Sequence, residues 1–351
     1  MHGVQLRQSK GLIATVLTPT FGNMKHISIL IPQGQTSLSN IEATYKMFSQ
    51  VNEVLERMKK PPLFNVQLVG ISTEATLSNG LFTIKPDMVV DDVNKTNLII
   101  IPAVHGDMKK VVADNATLLP WIVKHYKGGA EVVSLCIGAF ILAATGLLKG
   151  RSCATHWLMA DEFRETYPDV NLMPYKIITD EGGIYTSGGA YSSLNLILYL
   201  IEKFSGRDMA ITSSKIFEID IERNNQSVFM IFRGQKDHED TAIKKAQEYI
   251  ESNYPDKITV DQLASNLAMS RRHLERHFKK ATSNTVVEYM QRVRIEAAKM
   301  SLETLRENVN EVMYNVGYTD TKAFRITFKK ITGLSPVEYR NKYNKDAVAV
   351  N

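Results

Sequence analysis

Cys136 has the strongest chemical context of any side chain in this 351-residue sequence. An apolar run, Val132-Val133-Ser134-Leu135, leads into it, and Gly138 and Ala139 allow a tight turn into a helix expected over 140–148. A strand that delivers a nucleophile to the start of a helix is a nucleophile elbow, where backbone N–H groups favour a thiolate. His156 follows twenty residues later. An imidazole beside a thiol can take its proton, which would make a Cys-His pair for covalent catalysis. The competing chemistry is binding without turnover, an elbow whose pocket holds a small molecule. Cys153, beside Ala154 in an apolar strand, reads as a buried small residue.

Such a turn needs a sheet behind it. Short β-branched runs at 27–31, 66–71, 98–101 and 132–135 alternate with amphipathic segments, the pattern of a mostly parallel sheet flanked by helices. In the segment 38–59, Ile41, Tyr45, Phe48, Val51 and Leu55 recur at helical spacing. Asn79-Gly80 marks a hairpin between 75–77 and 81–84, and Glu181-Gly182-Gly183 marks one between 175–179 and 184–186, with a helix over 190–204 to follow. Ligands collect at the C-terminal ends of parallel strands. The loops there contain Pro32-Gln33-Gly34, Pro102 to Gly106, Ser134 to Gly138 and Ser187-Gly188-Gly189. They make Gly34, His105, Cys136, Ile137 and His156 the pocket candidates, although a lone histidine beside Gly106 and Asp107, as His105 is, is more often an ordinary loop residue than a ligand. No Cys/His cluster has zinc spacing and no glycine-rich loop ends in Gly-Lys-Ser/Thr, so neither a metal nor another cofactor is expected.

Residues 26–215 resemble the class I glutamine amidotransferase-like superfamily in its PfpI branch. The likeness rests on Cys136-Ile137-Gly138-Ala139-Phe140, Gly146-Leu147-Leu148, Gly150-Arg151 and Thr155-His156-Trp157. It implies an α/β, flavodoxin-like fold with nucleophile-elbow topology, and a histidine partner for the cysteine at His156. It further implies a carboxylate from the loop after the first strand, in contact with the thiol. Counting from Gly34, that position is Ser39, where no acid stands. Ser39 joins the pocket candidates, and the expectation is a sensor with no catalytic residue.

The C-terminal third carries a different signal, a helix-turn-helix pattern present twice. Phe278, Lys279, Lys280, Thr282, Val287, Glu288 and Tyr289 recur fifty residues later as Phe328, Lys329, Lys330, Thr332, Val337, Glu338 and Tyr339. Upstream of the turn the offset is forty-nine, so the second turn is one residue longer. In the first unit, helices at 260–267 and 271–281 flank a turn at Ala268-Met269-Ser270, and Arg271, Arg272, Glu275 and Arg276 face outward. In the second, helices at 309–316 and 320–331 flank Gly317-Tyr318-Thr319, with Thr321, Lys322 and Arg325 outward. A helix over 285–303 joins the units, with Val286, Tyr289, Met290, Val293, Ala297 and Met300 on its expected buried side. Its length of about 28 Å approaches one DNA turn of about 34 Å. Charge agrees: residues 241–344 hold 18 Lys and Arg against 12 Asp and Glu, whereas residues 1–240 hold 23 against 24. A polyanionic partner is therefore expected at the C-terminal third.

Residues 241–344 are similar to the AraC/XylS family, on Gly317-Tyr318, Phe324, Phe328-Lys329, Thr332-Gly333, Ser335-Pro336 and Tyr339-Arg340. The resemblance implies an all-α domain with two helix-turn-helix units that binds promoter DNA. One departure stands out. The second-unit position equivalent to Arg276 is Ile326, and the arginine is Arg325, about 100° away around a helix.

The expected organisation is a disordered extension over 1–23 with Met24 as the true start, an α/β sensor over 24–222, a linker over 223–240 with a strand-like stretch at 228–232, the DNA-binding domain over 241–344, and a tail over 345–351. Double-stranded DNA, a small-molecule effector, a second copy of the chain through the α/β domain and RNA polymerase are the expected partners. Two cysteines and no long apolar run point to the cytoplasm, without a membrane partner. The rival reading is an amidase-like or hydratase-like Cys-His hydrolase fused to a DNA-binding domain.

Overall fold

The β-branched runs of the N-terminal half pair into one seven-stranded sheet in the computed structural model, which describes residues 24–221, 225–236 and 238–344. The expected extension, tail and part of the linker lie outside the described residues. The sheet strands are β1 Lys25–Ile31, β2 Phe64–Gly70, β3 Met88–Val89, β4 Leu98–Ile101, β5 Glu131–Ser134, β6 Ile178–Glu181 and β7 Ile184–Ser187, in the order β6-β7-β5-β4-β1-β2-β3. Neighbours are parallel except the hairpin β6–β7.

Period-two alternation divides the strand residues between two cores. Ile27, Ile29, Ile31, Leu98, Ile100 and Val133 face helices α1 Leu38–Arg57, α6 Ser193–Ser205 and α7 Arg207–Ile216. Leu30, Ile99, Ile101 and Val132 face α2 Met108–Asp114, α3 Leu118–Lys127, α4 Ala139–Ala144 and α5 Ala160–Thr166. Because both faces are covered, every residue of β4 is buried, as an inner parallel strand requires. Helix α1 buries Ile41, Met47, Phe48, Val51 and Leu55. Each such side chain contributes roughly 1.5–3 kcal/mol relative to exposure, enough to fix that helix face.

The helix after the elbow is shorter than expected. It ends at Ala144, and the chain then turns through Gly146 and Gly150, both at positive φ. The helix expected from 190 begins at Ser193, behind a 3₁₀ turn over Ala190–Ser192.

Six further helices follow α8 Thr241–Ser252: α9 Val260–Asn266, α10 Arg271–Thr282, α11 Val286–Thr304, α12 Val309–Asn315, α13 Thr321–Thr332 and α14 Pro336–Tyr343. They build two small cores that share α11. Val286 and Tyr289 belong to the first with Ile243, Leu263, Leu274 and Phe278; Ile295, Ala298 and Leu302 belong to the second with Val312, Phe324, Phe328 and Tyr339. The buried stripe of α11 therefore shifts along its length, which a single periodic reading misses. Met290, Val293 and Ala297 are only partly buried, and Met300 is exposed.

The duplication extends to polar detail. Tyr289 donates its hydroxyl to Glu251 and Tyr339 donates to Glu303, while Thr282 and Thr332 each bond the carbonyl four residues back. Capping boxes Thr285/Glu288 and Ser335/Glu338 open the following helices. Thus α8 stands to the first unit as the end of α11 stands to the second. The longer second turn is also present, with Gly317 at φ 80 where the first turn has Ala268 at φ 53.

The stretch expected as a strand at 228–232 is not one. Ser227–Phe229 forms a 3₁₀ turn and the chain then runs irregularly, because Val228 packs into the second small core and Phe232 into the first. Side chains drawn to two different helical cores leave no edge for strand pairing.

Candidate ligand pocket and nucleic-acid interface

The elbow forms at Cys136, whose φ of 56 is uncommon for a residue with a side chain. Surrounding bonds hold it there. Its N–H donates to Ser187 Oγ at 3.1 Å, its carbonyl accepts from Thr155 Oγ1 at 3.1 Å, and Leu135 N–H donates to Ile101 O at 2.9 Å. Gly138 is required because a Cβ would stand 2.6 Å from the carbonyl oxygens of Ile101 and Pro102. The Sγ receives N–H groups from Ala190, at 3.4 Å, and from Ile137. These donors favour a thiolate, but the thiol is only 4% exposed and burial outweighs them, pushing its pKa up. The expected activation at the helix N-terminus is thus reversed by desolvation.

His156 lies close by without serving the thiol as a base. Its Nδ1 accepts from Leu158 N–H at 3.1 Å, capping the 3₁₀ turn Trp157–Met159. A neutral imidazole so bonded carries its proton on Nε2 and has no lone pair there for a thiol proton. The ring rests on Gly189, where a Cβ would come within 2.2 Å of His156 Cδ2. Among the described residues, Cys136 and His156 share no hydrogen bond. Burial first, and the neighbouring His105 second, hold the His156 pKa down.

That effect places His105 near His156. His105 sits in a two-residue ladder, Gln35–Thr36 against Val104–His105, which bridges the loops leaving β1 and β4 where the strand order reverses. Ile137 is buried at the elbow. Gly34 adjoins this ladder, against Val104, and also lines a cleft of about 250 Å³ with Pro32, Gln33, Ile71 and Glu74.

Ser39 is exposed and shares a hydrogen bond with Ser37. Its neighbour Asn40 is the buried residue: Oδ1 accepts from Ala103 N–H at 3.1 Å and Nδ2 donates to Ser193 Oγ at 3.3 Å. The side chain that α1 turns toward the strand ends is therefore a neutral amide. The helical period offered the clue, since Asn40 shares the buried face of Thr44, Met47 and Phe48. Sequence reasoning also missed Ala190, whose N–H reaches the sulfur, and Gln226, whose amide lies against Gly189.

In the first helix-turn-helix unit, Leu274 and Phe278 point inward and Arg271, Arg272, Glu275 and Arg276 are exposed. Arg271 is committed within the unit, to Glu275 at 3.1 Å and Asp261 at 3.2 Å. Arg272 and Arg276 make no ion pair with any described residue. With Lys279, Lys280 and the start of α11 they line a groove of about 550 Å³. In the second unit Thr321, Lys322 and Arg325 are exposed, and so is Ile326, at 58%.

Two independent likenesses meet these two sites. Residues 39–203 match the DJ-1/PfpI family, and residues 263–342 match a helix-turn-helix domain of AraC type. The chain joins a DJ-1/PfpI domain to an AraC-type helix-turn-helix domain. It is 26% identical over 274 residues to the HTH-type transcriptional regulator GbdR of Pseudomonas aeruginosa, covering 75% of this chain and 71% of that protein. The HTH-type transcriptional regulator CdhR of the same organism is 24% identical, covering 75% and 77%. A proposed transcriptional regulator of known structure from Vibrio parahaemolyticus shares the fold at 21% identity and a TM-score of 0.50, over 55% of this chain and 98% of that one. No helix among the described residues is long and apolar enough to cross a membrane, and no group of His, Cys, Asp and Glu among them could hold a metal ion.

Proposed function

We propose that this protein is a sequence-specific transcription regulator, in which the DJ-1/PfpI domain senses a small molecule and the helix-turn-helix domain binds promoter DNA. The observation that carries the reading is α10, a basic recognition helix whose Arg272 and Arg276 are exposed and uncommitted on a duplicated scaffold. An arginine so placed can bond both acceptors of a guanine in the major groove. The regulators similar to this chain support the assignment. The elbow favours binding over turnover: its thiol is protonated, its histidine faces the wrong way to act as base, and Asn40 supplies no charge. The protein acts in the cytoplasm as a homodimer through its α/β domain, which sets how two DNA-binding domains meet tandem sites and RNA polymerase.

A gel shift on a duplex selected from a random library by the full-length protein tests the DNA assignment. Arg276→Ala is expected to weaken binding by about 1–3 kcal/mol and to relax preference at one base pair. Ile326→Arg is expected to tighten binding or to add a preference in the second half-site. An unchanged affinity for Arg276→Ala removes Arg276 from the reading surface. For the elbow, Cys136→Ala should alter promoter output in cells while neither form hydrolyses simple amides. Turnover that disappears with Cys136→Ala would establish the hydrolase instead.

A further inference from the structure

Gln226 lies between the two matched regions, and its contacts exceed what a linker needs. It is 2% exposed. Its Oε1 accepts from Gly189 N–H at 3.0 Å, and its Nε2 donates to the carbonyls of Thr155, Pro174 and Lys176 at 3.0, 2.7 and 3.2 Å. Its own N–H donates to Tyr175 O at 2.9 Å. The amide therefore fills a recess in the wall of the α/β domain, with both halves satisfied. Two of its partners adjoin the elbow directly. Gly189 precedes Ala190, whose N–H reaches Cys136 Sγ, and Thr155 bonds the Cys136 carbonyl and precedes His156.

Four and six residues further on, the same segment is held by the other domain. Met230 O accepts from Lys299 Nζ at 2.6 Å, and Phe232 N–H donates to Glu296 Oε2 at 3.1 Å. Lys299 and Glu296 pair at 2.9 Å, and the Phe232 ring meets Tyr289 edge-on at 5.0 Å. Lys299, Glu296 and Tyr289 all lie on α11, which joins the two DNA-reading units. Only five residues separate Gln226 from Phe232, and three of them form the 3₁₀ turn Ser227–Phe229, so a short folded segment joins the two anchors.

We infer that Gln226 is a latch coupling the elbow to the DNA-binding domain: a ligand that moves the Gly189–His156 wall releases the amide, and with it the segment gripped by α11. This rests on reading the elbow as the sensing site. Coupling of this kind is reciprocal, so disturbing the α11 grip must also reach the elbow.

The rate of Cys136 alkylation by iodoacetamide in the full-length protein measures the elbow, with peptide mass spectrometry separating Cys136 from the deeply buried Cys153. Gln226→Ala is expected to speed the reaction by about tenfold through local opening. Phe232→Ala, in the other domain's core, is expected to speed it several-fold, and the double variant should react no faster than Gln226→Ala. Gly188→Ala covers the case in which Gln226→Ala does not fold. A Cβ there would stand 2.7 Å from Gln226 Oε1 and displace the amide while leaving every partner in place. It should match Gln226→Ala, and adding Gln226→Ala to it should change nothing. A wild-type rate in Phe232→Ala, or rate increases that multiply in the double variant, overturns the latch. Failure of the wild-type protein to retain any selected duplex overturns the regulator reading instead, whatever the alkylation shows.

Discussion

At Cys136, a strained backbone presents a thiol that the surroundings keep protonated. Because burial raises its pKa above that of an ordinary thiol, the thiolate fraction at neutral pH is small. The alkylation rate should therefore keep climbing through pH 9, with no plateau. A plateau below pH 8 would mean that the N–H donors of Ala190 and Ile137 prevail over burial. The elbow was legible in the sequence because its residue types leave little choice: an apolar strand, a nucleophile, and a glycine whose Cβ would strike two carbonyls. What surrounds the counted loop position was not. One residue on a helix is about 100°, which separates Ser39, exposed at that position, from buried Asn40. His156 was found, but its orientation depends on Leu158 N–H, which no spacing reveals.

Among the elements, the duplicated unit was read from residue identities, and its turns show why the copies differ. The five-residue second connection places Gly317 at φ 80 with Pro255 O only 2.4 Å from a built Cβ, whereas Ala268 occupies the same conformational region in the first turn with its side chain tolerated. Gly317→Ala should lower the thermal midpoint, by about 4–8 °C for each kcal/mol in a domain of this size, with at least about 1 kcal/mol lost. Ala268→Gly should leave the midpoint unchanged or raise it, since glycine relieves positive φ. Equal losses from both substitutions would show that the turns are not governed by backbone conformation. The joining helix was placed correctly, but its buried face was not, because α11 serves two cores and a single stripe serves one. Arg325 and Ile326 illustrate the same limit from outside: both are exposed, so exposure alone does not decide which one meets a base.

For the whole molecule, the two domain types were visible in sequence because each carries its own periodicity and motif, and charge separates them. The connection between them was not visible. The stretch at 228–232 looked like a strand by composition, yet Val228 and Phe232 are anchors in two helical cores, and Gln226 is held by backbone groups scattered over three loops. Long-range partners of this kind leave no local pattern. The unequal repeat should show itself on DNA. With α10 bearing uncommitted arginines and α13 bearing Ile326, one half-site should be read by base and the other held mainly through phosphates. Hydroxyl-radical footprinting of the full-length protein on a selected duplex measures both. Two protected segments are expected on one face, about 10 base pairs apart, with sequence preference concentrated in one of them. A single protected groove, or no protection at concentrations that saturate wild-type binding, would contradict that expectation.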